Sequence, residues 1–132
     1  MVRPILVPLL AAVAAVALSG CRAQIQPPGD PGTCYHLAAI QDGKPKFNVL
    51  AKSEPDMEHC AAALEAMRSR FLSLGSSNRD IVGAYQANFL FLQKEGVLTS
   101  TSLEGPRYVA LVRTGDGRLA IPGAMPGPPA PP

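Results

Sequence analysis

The residues able to do chemistry in this 132-residue chain are few: Cys21, Cys34 and Cys60, the two histidines His36 and His59, and the late arginines Arg107, Arg113 and Arg118. Cys34 and Cys60 enclose a loop of about 26 residues, for which a disulfide is worth roughly 3 kcal/mol in the chain-entropy picture. The competing reading is zinc, with Cys34, His36, His59 and Cys60 as four ligands. It fits poorly, because Cys-x-His and an adjacent His-Cys lack the gaps of about two to four residues that let both members face one ion. A cysteine nucleophile paired with His36 or His59 would need a free thiol, which the disulfide removes. The three arginines could collect an anion if one sheet face aligned them, but separate solvated charges are the simpler expectation. There is no Gly-x-Ser-x-Gly elbow, no Ser-x-x-Lys pair, no His-Glu-x-x-His helix and no glycine-rich phosphate loop. No catalytic residue, metal site or cofactor is therefore assigned.

The third cysteine is placed by what precedes it. Arg3 is followed by an uncharged apolar run over residues 4–18 and then by small residues. This is the layout of a secretory signal peptide, residues 1–20. The run of about 15 residues falls short of the roughly 20 that span a bilayer, and Pro4 and Pro8 spoil its start as a helix. Leu18-Ser19-Gly20-Cys21 closely resembles the lipobox of bacterial lipoproteins. The resemblance covers residues 1–21 only. It implies that the Cys21 sulfur takes a diacylglyceryl group, that the signal is removed before it, and that the new amino group is acylated. Cleavage after another small residue, leaving a free thiol, is the plainer alternative. Arg22 stands where, in the enterobacterial sorting rule, an Asp would hold a lipoprotein at the inner membrane. In a Gram-negative host that follows the rule, this implies the periplasmic face of the outer membrane.

Residues 21–32 are rich in Pro and Gly and are expected to form an extended spacer, lifting the domain ~30 Å from lipid. Residues 122–132, rich in proline, are expected to be a disordered tail. Residues 33–121 remain as one domain, small enough to benefit from a covalent staple.

Within it, strands over 34–40 and 46–50 flank Asp42-Gly43, a favoured two-residue hairpin turn. Ser53 is expected to cap a helix with Pro55 in its first turn. Met57, Cys60, Leu64, Met67, Phe71 and Leu74 then form one apolar stripe, and Gly75 stops it. Residues 81–92 read as one long strand, with Tyr85, Ala87, Phe89 and Phe91 on one side. Its NFLFLQ segment has apolar residues on both faces, which suggests a central strand with a bulge or simple irregularity, or burial between the helix and a partner. A turn at 93–96 leads to a strand at 97–101, and strands at 108–113 and 118–121 flank a TGDG turn. The reading is α+β: a small antiparallel sheet of hairpins with one amphipathic helix packed on one face, ββαββββ.

Charge excludes some partners. With Arg3 removed by processing, 11 Lys and Arg face 10 Asp and Glu, without a basic cluster. Nucleic acid and anionic lipid are thus poor candidates. The expected role is a membrane-anchored, non-enzymatic accessory or binding module of the cell envelope with a protein partner. A small-ligand or inhibitor-type domain is the alternative, and an enzyme without a local motif ranks last. The contact expected for a partner is an exposed edge in the carboxyl-terminal strands, 97–121.

Overall fold

The computed structural model describes residues 24–76, 80–116 and 118–123. The lipobox cysteine, the signal peptide and the tail beyond Gly123 lie outside the described residues. The elements are β1 (Cys34–Gln41), β2 (Lys44–Ala51), α1 (Met57–Ser73), β3 (Ile81–Tyr85), β4 (Asn88–Gln93), β5 (Gly96–Ser100), β6 (Tyr108–Arg113) and β7 (Leu119–Ala120). All seven strands join one antiparallel sheet in the order β2-β1-β3-β4-β5-β6-β7. The fold is thus mixed α and β, mostly sheet. Helix α1 carries the chain across one face from the edge strand β2 to β3, so that β1 lies between them.

The long strand expected over 81–92 is two strands. Gln86 and Ala87 both take left-handed backbone, with φ of 43° and 64°, and Tyr85 pairs with Asn88 across them. A two-residue turn with positive φ at both positions matches the right-handed twist of the flanking strands. Gln-Ala lacks the Asn or Gly that marks such turns. One consequence is that Tyr85 packs on the helix face with Leu90 and Leu92, whereas Phe89 and Phe91 pack on the other.

The helix also starts differently. Asp56, not Ser53, is the cap, its carboxylate accepting the His59 backbone N–H at 2.9 Å. Ser53 has φ of 58°, and the Glu54 N–H that follows donates to the Gly32 carbonyl at 2.8 Å. The chain is therefore pinned to the amino-terminal segment before the helix can begin.

Helix residues Cys60, Ala61 and Leu64 are buried, and Met57 and Met67 pack beside them. Phe71 and Leu74, expected on the same stripe, are exposed, Leu74 to 83%. A stripe of alternating three and four residues drifts round a straight helix by about 20° per seven residues. By its last two turns it has rotated off the sheet, and Arg68 is buried instead.

The opposite sheet face is covered as well. Residues 24–32, expected to be a spacer standing away from the domain, run along it: Ile25 packs with Phe89 and Phe91, Pro27 is buried, and the Ala87 N–H donates to the Pro28 carbonyl at 2.9 Å. Tyr35 donates its hydroxyl hydrogen to the Asp30 carboxylate, and Gly32 N–H donates to Gln86 Oε1 at 3.3 Å. Leu103 completes the cover. The segment Asn88–Gln93 is apolar on both sides because β4 is the fourth of seven strands, beneath the helix on one face and beneath these loops on the other. Its pairings with β3 and β5 run without a bulge.

Candidate functional site

Cys34 and Cys60 are joined by a disulfide, with Cα atoms 5.3 Å apart. Cys34 opens β1 and Cys60 lies one turn into α1, so the bond ties the central sheet to the helix over it. Both residues are completely buried. The sulfurs that a zinc site would use are bonded to each other. Neither histidine approaches them as a ligand would: the His36 ring lies tilted at 60° to Phe71 with centroids 6.5 Å apart, and His59 Nδ1 sits 2.6 Å from Asp56 Oδ1 on the surface. That hydrogen bond raises the His59 pKa above its ordinary 6.5 and lowers that of Asp56. Burial lowers the pKa of His36.

The arginines are kept apart. Arg113 Nη1 and Nη2 donate to the two carboxylate oxygens of Glu65 at 2.5 and 2.9 Å. Its Nε and Nη2 also donate to the carbonyl of Gln93, at 3.1 and 2.8 Å. Arg107 lies on the other face, its guanidinium carbon 3.7 Å from the centre of the Phe91 ring. Arg118 pairs with Asp116 at 3.5 Å in the open. No anion site forms from the three. No local motif marks Glu65 in the sequence, because its partner lies 48 residues away.

The sheet has two edges of contrasting character. The outer side of β2 carries Lys44, Pro45 and Lys46, all exposed. Lysine and proline on an edge discourage another strand from adding there. At the other end β7 pairs only with Val112 and Arg113 of β6. Among the described residues nothing pairs with the outer side of 108–111, where Tyr108 is 66% and Val109 58% exposed. Beside this edge an open groove of about 400 Å³ runs between the helix and the last strands, lined by Ala62, Glu65, Leu111, Arg118 and Ile121.

A second, larger cleft of about 650 Å³ lies at the tip of the β1–β2 hairpin, with Ile25, Ile40 and Leu103 as its apolar lining. Gln24, Gly43 and Glu104 complete its rim. Within the described residues no group of three or more His, Cys, Asp or Glu is placed to hold a metal. The titratable contacts seen, Asp56 with His59 and Glu65 with Arg113, serve a helix cap and a helix-to-sheet clamp.

No family model, curated protein or solved structure matches this chain. What the described residues offer chemically is a stapled two-faced sheet with one guarded and one open edge.

Proposed function

We propose that this chain is an exported, lipid-anchored module of the bacterial cell envelope that works by binding another protein rather than by catalysis. The observation that carries the binding role is the open outer edge of β6 over 108–111, with Tyr108 and Val109 exposed on it. Unpaired N–H and C=O groups along a strand are a template for an extended segment of a partner, and alternating apolar side chains supply selectivity. The groove along Leu111 and Ile121 would take side chains from such a segment on the helix face. The lipobox-like residues at Cys21 give the address, and a disulfide inside so small a domain suits an oxidising compartment. With Arg22 after the cysteine, the periplasmic face of the outer membrane is the proposed location in a Gram-negative host.

The test is crosslinking in intact cells followed by mass spectrometry of the captured proteins and of the mature amino terminus. The expected result is an acylated Cys21 as the first residue and one dominant envelope partner, captured by wild type and lost in both Val109→Pro and Val109→Lys. Cys21→Ser should leave the membrane fraction or stall in processing. Turnover of an envelope substrate by the purified domain, abolished by changing a single His, Asp or Glu, would overturn the binding reading.

A further inference from the structure

The docked amino-terminal segment bears on which part of the domain a lipid anchor would bring to the membrane. Gln24 and Ile25 line the cleft at the β1–β2 hairpin tip. Cys21 precedes Gln24 by three residues, and a chain reaches at most about 3.6 Å per residue. A lipid anchor on Cys21 would therefore leave a tether of only three residues ahead of Gln24, about 11 Å between α-carbons at full stretch. Ile25, Pro28, Asp30 and Gly32 tie the segment that precedes β1 to the sheet.

The rim at that place has the chemistry of a lipid contact. Ile40, 48% exposed, pairs with Pro45 across the hairpin, and exposed Lys44 and Lys46 stand on either side of that pair in the register. An apolar residue flanked by lysines can enter the headgroup layer while the ammonium groups stay among phosphates. Asp42 and Glu104 on the same rim offset the two lysines. Attraction by net charge is then small, and the contact depends on the high effective concentration that a short tether imposes.

We infer that the rim formed by the β1–β2 hairpin tip and Leu103–Glu104 is a docking surface for the phospholipid bilayer, seated there by the anchor on Cys21. This rests on the lipid-anchored reading above. The β6 edge lies at the other end of the sheet order from β2.

The experiment uses the full mature chain purified with its lipid and reconstituted into vesicles of phosphatidylethanolamine and phosphatidylglycerol. Ile40→Cys and, as a control on the outward side of α1, Ala66→Cys are each labelled with an environment-sensitive fluorophore. The native cysteines are already bonded or acylated, so the label is single. The expected result is a blue shift at position 40, and quenching there by lipids brominated on their chains, with neither effect at position 66. The same Ile40→Cys probe on a Cys21→Ser chain added to vesicles should show no shift. Intact mass measured first separates the two ideas: an unacylated amino terminus removes the anchor and this proposal with it. An acylated chain whose probe at 40 stays as water-exposed as that at 66 keeps the anchor and overturns the docking surface.

Discussion

Glu65, in the middle of α1, and Arg113, at the end of β6, form a two-pronged ion pair with Nη1–Oε1 of 2.5 Å and Nη2–Oε2 of 2.9 Å. Both side chains are largely shielded from water, and Arg68 adds a longer contact to Glu65 at 3.4 Å. Because Arg113 also holds the carbonyls of Gln93 and Lys94, one guanidinium joins the helix, the β4–β5 turn and β6. Arg113→Ala should cost about 2 to 4 kcal/mol, since it leaves a shielded carboxylate and carbonyls without their donor. Arg113→Lys should recover only part of that, a point charge being unable to serve both carboxylate oxygens at once. Urea midpoints at constant m-value measure both; equal stability of wild type and Arg113→Ala would show the clamp to be ornamental.

The disulfide makes a separate prediction. Cys34→Ala or Cys60→Ala should lower stability by roughly 2 to 5 kcal/mol, enough to prevent folding of a domain this small at growth temperature. Native protein should not react with a thiol reagent until it is reduced and unfolded, because both residues are fully buried.

The two histidines should titrate on opposite sides of 6.5. For His36 the folded pKa is lowered by burial, so its contribution to stability is complete above about 6.5 and is lost as pH falls through the folded value. For His59 the folded pKa is raised by Asp56, so its contribution is complete below about 6.5 and is lost as pH rises through the folded value. Ring C–H shifts in NMR distinguish them. Asp56→Asn keeps a capping oxygen but removes the charge, and should bring the His59 midpoint back toward 6.5 without moving His36. Failure of His59 to respond would mean that the Asp56 contact does not persist in solution.

Gly83 should tolerate no side chain. A Cβ there would stand 2.7 Å from the Tyr35 carbonyl oxygen and press on the methyl groups of Leu64. Gly83→Ala should cost about 1 to 3 kcal/mol through overpacking. Adding Leu64→Ala should not restore stability, since the Tyr35 carbonyl remains in the way. Recovery in the double variant would show that only the helix side chain was crowded.

Much was legible in the sequence because it is local. The pairing of the first two strands across Asp42-Gly43 follows from the backbone freedom of that dipeptide, both residues taking positive φ. The helix, its Gly75 stop and the inward facing of Cys60 and Leu64 follow from spacing along one element. So does the disulfide, expected from the even pair of cysteines left in a small domain. Other features depended on distant segments. The Gln86-Ala87 turn carries no glycine or asparagine, so strand pairing forces its left-handed backbone. The segment 24–32 has the composition of a spacer, but Ile25, Pro27 and the Asp30 carboxylate find partners only once the aromatic face of β4 exists. The stripe through Phe71 and Leu74 promised burial that the extent and direction of the sheet do not provide. Residue order thus determined the elements and the staple, through dihedral preference and helical or strand period. Which faces are covered and which edge is left unpaired among the described residues were decided only by packing, because those depend on surfaces that no single stretch of the chain contains.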